Sequence, residues 1–200
     1  QFIKHDTLPT NDLIYYHCFV SKTNQQNYQM LLFCKKTGLS IEYDEHNNIF
    51  QFHQLPVYDD IASFYKYAYV CINDVILFFG GYSIFTRSKS AHKYSIRENK
   101  WIAFQNILPS RLYDCVAVLS EDNTYVYIIG GYNKGSVSTH TKTEVSKWMS
   151  EEEMKKGIEL KVEEKEKKNE METIVKKETN KKQNKVKKDS DVERCFITGK

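Results

Sequence analysis

The stretch Val75-Ile76-Leu77-Phe78-Phe79-Gly80-Gly81-Tyr82 decides the fold of this 200-residue chain. Its five apolar residues end in a glycine pair, and the arrangement returns about fifty residues later as Tyr125-Val126-Tyr127-Ile128-Ile129-Gly130-Gly131-Tyr132. A strand that is apolar at every position must be covered on both faces. Paired glycines allow positive φ and close approach of neighbouring backbone. One pair could be an ordinary glycine-rich turn, but two copies at this spacing indicate a repeat architecture.

A second set of strand-like residues follows the glycine pair. After Gly80-Gly81 come Tyr94 and, seven residues later, Trp101, and the unit ends at Leu108-Pro109. Short strands covered on both faces suit β-sheets that pack face to face around an axis, as in the blades of a β-propeller. The sequence therefore predicts an all-β fold built from such blades. The clear repeat is expected to begin with strands Tyr67–Ile72 and Val75–Phe79 around the hairpin turn Asn73-Asp74, and the third repeat with a strand at Tyr113–Leu119.

These residues resemble the Kelch repeat, whose pattern is an apolar strand, a double glycine, a downstream Tyr and a Trp several residues later. The motif residues of this chain are Gly80, Gly81, Tyr94, Trp101, Gly130, Gly131 and Trp148. The third repeat departs from the pattern because Thr141 stands where the Tyr is expected. The resemblance covers residues 65–148 and implies Kelch-like β-propeller blades.

The chain divides into an entry segment, three repeats and a tail. Their boundaries are residues 1–13, 14–56 (a degenerate repeat), 65–109 (a clear repeat), 111–149 (a repeat that weakens at its end) and 150–200. Three blades are too few to close a propeller, which takes about four to eight. The chain is therefore expected to be part of a longer propeller, or to self-associate through uncovered blade faces.

The degenerate repeat lacks the glycine pair, which Cys34-Lys35 replaces. Strands are expected at Tyr15–Val20 and Gln29–Phe33, around a hairpin loop at Ser21–Asn27. Farther along, Tyr43 and Phe50 keep the seven-residue separation of Tyr94 and Trp101. This spacing supports a third blade despite the missing glycines.

The tail differs in composition from the repeats, because Lys and Glu dominate residues 150–200. Pairs such as Glu151/Lys155 and Glu163/Lys167 are spaced i,i+4 with the acid first, the order that favours a helix. We expect a charged helix that frays near Asn180, followed by disorder. Seven lysines between Lys176 and Lys188 form either a solvated tail or a nuclear-import or polyanion-binding patch. No aromatic residue accompanies them for base stacking, which disfavours nucleic acid.

Composition gives little sign of a membrane or nucleic-acid partner. The net charge is only +3, and no apolar run reaches the length of a membrane span. The five cysteines are Cys18, Cys34, Cys71, Cys115 and Cys195, and they form no CxxC pair. We interpret them as small buried side chains in a reducing compartment. The sequence thus predicts a cytoplasmic protein, with nuclear import through residues 176–188 as the alternative.

No motif for catalysis or metal binding is found in the sequence. The six histidines share no metal-ligand spacing with each other or with the cysteines, and His92 is expected to be a packing residue. Phosphate-cradling loops and nucleophile motifs are absent. The prediction is therefore a non-catalytic protein without cofactor or metal, and the alternative is a fragment of a Kelch-type enzyme.

The resemblance implies a protein-interaction scaffold whose partner sites lie on loops at one end of the propeller. On this chain those loops are residues 82–88, 132–134, 57–63 and 110–113. The candidate partner-binding residues are Tyr82, Arg87, Arg111, Tyr132, Asn133 and Lys134. The basic side chains would meet acidic groups and the tyrosines would supply contact area. The alternative is that these loops are simply exposed.

Overall fold

The computed structural model describes residues 4–23, 28–104, 108–132, 135 and 140–155. The strands of this described part are β1 (Cys18–Thr23), β2 (Tyr28–Cys34), β3 (Thr37–Asp44), β4 (Ile49–Gln54), β5 (Ala68–Ile72), β6 (Val75–Phe79), β7 (Ala91–Ser95), β8 (Lys100–Phe104), β9 (Val116–Leu119), β10 (Tyr125–Ile129) and β11 (His140–Glu144). A short helix, α1 (Asp59–Ala62), precedes β5, and a 3₁₀ helix (Val145–Lys147) follows β11.

The strands form three antiparallel sheets, which confirms the all-β prediction. Sheet 1 has the order β1-β2-β3-β4, sheet 2 the order β5-β6-β7-β8, and sheet 3 the order β11-β10-β9. Each strand of sheets 1 and 2 pairs with its neighbour in sequence, so the sheets are simple meanders. Sheet 3 has only three strands in the described part of the chain.

The first strand of each sheet begins later than the apolar pattern predicts, at Cys18, Ala68 and Val116. A residue with left-handed backbone lies two positions before each start, and these residues are Tyr16, Lys66 and Asp114, with φ of 51°, 59° and 55°. A left-handed residue cannot continue an extended ladder. In sheet 1 the first strand also runs on to Thr23, beyond the start of the hairpin loop expected at Ser21–Asn27. Residues 24–27 lie outside the described residues.

The connection from β2 to β3 replaces the glycine pair with a tight turn. Cys34 pairs with Thr37, which leaves Lys35 and Lys36 as a two-residue turn. Lys35 takes a φ of 51°, so a non-glycine residue adopts the left-handed conformation here. Residues 80–90 make the corresponding connection in sheet 2, and sheet 1 has no counterpart to that loop.

Sheet 2 matches the sequence prediction closely. All five residues of β6 are buried, as an apolar strand covered on both faces should be. Ile72 pairs with Val75, so Asn73 and Asp74 form the predicted two-residue turn between β5 and β6. The φ of Asn73 is 54°, and asparagine tolerates this left-handed conformation better than most residues.

Sheet 3 carries the same motif, but β10 is buried only at alternate positions. Val126 and Ile128 are 0% and 1% exposed, whereas Ile129 is 50% exposed. One face of sheet 3 packs on sheet 2, and the other face is open. Within the described residues no further sheet lies against this face, so sheet 3 has the uncovered blade face expected at the end of an open set of blades.

The register of sheet 3 corrects the position assigned to Thr141. In sheet 2, Tyr94 lies opposite Ile76. The counterpart of Ile76, counted back from the glycine pair, is Val126, and Val126 lies opposite Thr143. Thr143 therefore takes the place of the Tyr, because sheet pairing and not the distance to the Trp defines equivalent positions.

Trp148 lies just after the 3₁₀ helix, whereas Trp101 lies on the fourth strand of sheet 2. Its ring still packs between the sheets, 5.3 Å from the ring centres of both Phe79 and Phe104. The indole Nε1 of Trp148 donates a hydrogen bond to Thr143 Oγ1 at 3.1 Å. A different element thus brings a tryptophan to the boundary between sheets 2 and 3.

An aromatic cluster fills the boundary between sheets 1 and 2. The ring of Phe33 lies 4.8 Å from Tyr94, 5.2 Å from Trp101 and 6.0 Å from Phe78, all in edge-to-face geometry. The Trp101 indole also donates a hydrogen bond to the carbonyl of Pro56 at 2.7 Å. Such rings bury large apolar areas and prefer this geometry, so the cluster holds the two sheets face to face.

The N-terminal segment, residues 4–15, covers the centre of the outer face of sheet 1. Leu8 and Ile14 of this segment pack against a buried cluster whose members are Leu32, Cys34, Leu39 and Ile41. Thr37 donates a hydrogen bond to Asp12 Oδ2 at 2.7 Å, and its hydroxyl also lies 2.6 Å from that of Thr10. The predicted entry segment is therefore a cover for sheet 1.

None of the four described cysteines is in a disulfide, and Cys195 lies outside the described residues. Cys18, Cys34 and Cys115 are buried. Burial raises the pKa of Cys115 to about 11 and that of Cys18 well above its usual value. These thiols stay protonated and pack as small apolar side chains.

The chain divides into two compact units, Gln1–Glu151 and Glu152–Lys200. The described residues of the second unit, 152–155, are helical. The helix end expected near Asn180 and the lysines of residues 176–188 lie outside the described residues and stay predictions. In the part that is described, no helix is long and apolar enough to cross a membrane.

Candidate functional site

The glycine pairs form the same turn in sheets 2 and 3. Gly80 and Gly81 have φ of 69° and 116°, and Gly130 and Gly131 have φ of 68° and 107°. Only the surroundings differ. A Cβ on Gly80 would lie 2.2 Å from the carbonyl oxygen of Leu112, whereas nothing lies within 4 Å of a Cβ on Gly130.

A tyrosine comes directly before each left-handed residue that starts a sheet. These tyrosines are Tyr15, Tyr65 and Tyr113. Two of them bridge to the tyrosine after a glycine pair, Tyr65 to Tyr82 and Tyr113 to Tyr132. In sheets 2 and 3 the start of the sheet and the end of its glycine turn therefore lie side by side.

The result is a continuous row of tyrosine rings across the three sheets, which we call the tyrosine row. Its members are Tyr15, Tyr16, Tyr65, Tyr82, Tyr113 and Tyr132. Successive ring centres from Tyr15 to Tyr65, Tyr82, Tyr113 and Tyr132 lie 5.7, 5.5, 5.0 and 5.3 Å apart. Tyr15, Tyr16 and Tyr132 are exposed, and the other three residues are partly exposed.

Three cations lie over the rings of this row. Lys35 Nζ is 4.5 Å from the ring centre of Tyr15, Lys66 Nζ is 4.2 Å from that of Tyr16, and the Arg87 guanidinium carbon is 5.6 Å from that of Tyr113. Contacts of this kind are attractive because the ring face is negative. The surface therefore alternates aromatic and positive groups.

One carboxylate, Asp114, balances part of this charge. Lys66 Nζ donates a hydrogen bond to Asp114 Oδ2 at 2.7 Å and so links the starts of sheets 2 and 3. This bond raises the pKa of Lys66, and the Tyr15 hydroxyl raises that of Lys35. Both lysines stay charged at neutral pH. The pair is partly exposed, so its contribution to stability is small.

The loop after Gly80-Gly81 is a small hairpin that carries two exposed apolar side chains. Ser83 N–H donates to the Thr86 carbonyl at 2.8 Å, and Thr86 N–H donates to Ser83 Oγ at 3.1 Å. At its base Tyr82 bridges to Arg87. At its tip Ile84 is 79% exposed and Phe85 is 95% exposed.

The candidate residues from the sequence are only partly brought together. Tyr82, Arg87 and Tyr132 lie in or against the tyrosine row, and Arg111 is exposed on the linker before Leu112. Asn133 and Lys134 lie outside the described residues. The sequence reasoning missed the other tyrosines, Lys35, Lys66, Ile84 and Phe85. The one available signal was a Tyr at the entry to every repeat.

The described residues contain no group of three or more His, Cys, Asp or Glu side chains placed to hold a metal ion. His92 is 2% exposed, and burial lowers its pKa. In the described part its Nδ1 has no hydrogen-bond partner. The imidazole is therefore neutral and packed inside sheet 2, as expected from the sequence.

A cavity of about 290 Å³ lies at the boundary of sheets 2 and 3. Its lining residues are Phe104, Leu108, Pro109, Ile128, Thr141, Lys142, Thr143, Lys147 and Trp148. The lining contains lysines and threonines but no carboxylate, histidine or thiol. It can accommodate apolar groups and offers no acid–base pair.

Comparisons with known proteins give a limited result. No family model matches the chain, and no curated protein matches it. The solved structure of YjhT is similar, with a TM-score of 0.47 and 12% sequence identity. The alignment covers 60% of this chain and 36% of that one, so the chain spans little more than a third of that protein. These comparisons assign no family.

Proposed function

We propose that the chain is a non-catalytic protein-interaction scaffold of the Kelch-repeat type, which binds a protein partner through the tyrosine row and the hairpin beside it. The observation that carries the proposal is the pair Ile84 and Phe85, 79% and 95% exposed on a hairpin that hydrogen bonds hold in place. Two adjacent large apolar side chains held at the tip of an ordered hairpin are suited to act as contact anchors for a partner.

The hairpin is suited to binding because its conformation is fixed before a partner arrives. The bonds between Ser83 and Thr86, and the bond from Ser88 N–H to the Gly81 carbonyl at 2.9 Å, close it at both ends. A preformed loop loses little conformational entropy when it binds. Phe85 can therefore enter an apolar pocket of a partner at low entropic cost.

The tyrosine row supplies the area around this anchor. Tyrosine is enriched at interfaces because its ring buries apolar surface while its hydroxyl can hydrogen-bond. All six tyrosines of the row are at least partly exposed. An extended segment of a partner could lie along them with successive side chains on successive rings.

The charges of the surface favour an acidic partner. Lys35, Lys66, Arg87 and Arg111 are positive, and Asp114 is the carboxylate paired with one of them. Interfacial charges of one sign select partners of the other sign and speed their encounter. The partner class that fits is a protein segment with acidic groups next to an aromatic or aliphatic side chain.

The Kelch resemblance supports the same assignment. The glycine pair recurs about fifty residues apart, as expected for such a repeat, and the loops named by the resemblance include the hairpin at residues 82–88. The lysines of residues 176–188 suggest a separate polyanion-binding role, which stays a prediction. A fall in RNA or DNA affinity with salt would reveal such a role.

The proposed function can be tested by selecting, from a random peptide display library, the peptides that bind to the purified chain. We expect enriched peptides to combine acidic residues with an aromatic or aliphatic residue. Their affinity should fall at least about tenfold in the double variant Ile84→Ser/Phe85→Ser, since an interface anchor contributes about 2 kcal/mol or more.

The matched control is Ile49→Ser, which removes an apolar side chain of 43% exposure from the edge strand β4. This variant should bind the selected peptides as the original chain does. Equal loss in both variants, or selected peptides without acidic residues, would contradict the proposed surface.

A further inference from the structure

We infer that two copies of this chain associate through the outer face of sheet 3 and form a closed dimer. The outer face of sheet 3 consists of Val116, Val118, Tyr125, Tyr127, Ile129, His140, Lys142 and Glu144, which the strand register places on one side of the sheet. This surface is separate from the tyrosine row, and the inference does not depend on the proposed function.

The face is apolar at its centre and open to solvent. Val116, Val118 and Ile129 are 61%, 46% and 50% exposed, and register pairs Val116 with Ile129. The side chains of Val126 and Ile128 on the opposite face are buried against sheet 2. A contiguous apolar patch on a sheet marks an interaction surface.

Gly130 continues the open face and provides room for a partner backbone. Its φ of 68° equals that of Gly80 within a degree, yet nothing lies within 4 Å of where its Cβ would be. At Gly80 the carbonyl of Leu112 fills that space, and Gly81 N–H donates to this carbonyl at 2.9 Å. Non-glycine residues such as Lys35 take similar φ in this chain, so backbone conformation alone does not require glycine at position 130.

The two ends of the three-sheet array differ, and the difference determines the form of assembly. Leu8 and Ile14 of the N-terminal segment cover the buried cluster at the centre of the outer face of sheet 1, and Phe19 at the β1 edge of that face is 41% exposed. Two open ends would allow chains to add head to tail without limit, whereas one open end allows only a closed pair related by a two-fold axis. The expected assembly is a dimer.

The charges at the edge of the face are self-complementary. β11 places Lys142 and Glu144 on the same face, two residues apart. Lys142 Nζ lies 3.5 Å from the ring centre of Tyr125, so it is held near the patch. A two-fold axis can bring Lys142 of one copy to Glu144 of the other, whereas an unrelated partner would have no reason to match this pair.

Sedimentation equilibrium of the full chain tests this inference. We expect a single monomer–dimer equilibrium. The variant Val118→Asp should raise the dissociation constant at least about tenfold because it buries a charge in the interface. The control Phe19→Asp changes an apolar side chain of similar exposure, 41%, on sheet 1 and should leave the equilibrium unchanged. Circular dichroism would verify that each variant keeps its β-sheets.

A charge exchange tests the two-fold arrangement itself. Lys142→Glu should weaken the dimer, and the double variant Lys142→Glu/Glu144→Lys should restore it. A monomer at every concentration would overturn the inference, as would assemblies that keep growing with concentration. Failure of the double variant to restore the dimer would overturn the two-fold pairing.

Discussion

Sheets 2 and 3 carry the same sequence motif in different surroundings. Their glycines adopt nearly the same conformation, with φ of 69° at Gly80 and 68° at Gly130. Burial nevertheless differs, because β6 is buried throughout and β10 only at alternate positions. The motif therefore determines local backbone geometry, while the neighbouring sheet determines how much each residue contributes to stability.

The largest difference in stability between the two sheets is expected when their equivalent glycines are replaced by alanine. In Gly80→Ala the new Cβ would meet the Leu112 carbonyl at 2.2 Å, so backbone must move. We expect a loss of about 4 kcal/mol or more in the free energy of unfolding. Gly130→Ala meets no atom and should lose only the left-handed strain, about 1–2 kcal/mol. Urea unfolding measures both, and equal losses would contradict the comparison.

A smaller difference is expected for apolar side chains of the two sheets. Ile76 is 0% exposed and Ile129 is 50% exposed. Ile76→Ala should cost about 2–5 kcal/mol of unfolding free energy because it leaves a cavity. Ile129→Ala should cost about 1 kcal/mol or less in dilute protein, where association does not contribute. A loss at Ile129 as large as that at Ile76 would show that the face is covered in the folded monomer.

The smallest effect concerns the hairpin turns that precede β6 and β10. Asp122 accepts hydrogen bonds from Ser120 Oγ at 2.6 Å and Thr124 N–H at 3.0 Å, and the bond from Ser120 is the main reason that its pKa falls to about 2. The turn of sheet 2 uses the neutral Asn73 at its left-handed position. Because the folded pKa lies below the unfolded value of about 3.9, Asp122 stabilises the fold above pH about 4.

This stabilisation is lost as the pH falls through about 2. The variant Asp122→Asn should therefore lose less stability than the original chain on acidification from pH 5 to about 2. Thermal unfolding across this range measures the difference. The control Glu121→Gln removes the same charge from the same turn, and it should keep the original acid dependence more closely than Asp122→Asn does.

The sequence predicted the parts of the fold that depend on local pattern. The burial of β6, the turn at Asn73-Asp74 and the all-β class follow from residues that are adjacent in the chain. The seven-residue spacing of Tyr43 and Phe50 corresponds to a cross-strand pair, as it does for Tyr94 and Trp101. Pattern reasoning failed at Thr141 because pairing register is set by the neighbouring strand.

The candidate site could be predicted only in part, because it is assembled from three sheets. Tyr15, Tyr65 and Tyr113 are about fifty residues apart in sequence, and only the packing of the sheets brings their rings into one row. The exposure of Phe85 depends on hydrogen bonds between Ser83 and Thr86 that no periodicity reveals. The role of Leu8 and Ile14 as a cover depends on the absence of a preceding sheet in the described chain.

The two-residue turn at Lys35-Lys36 has a consequence for how such a chain can diversify. Sheet 1 is complete with a two-residue connection, so the exposed tip of the longer loop in sheet 2, at Ile84 and Phe85, is not a requirement of the sheet. Selection can therefore change this tip while Gly81 and Ser88 keep their hydrogen bonds to Leu112. Under the proposed function, a new partner can be acquired by changes confined to the tip of a single hairpin.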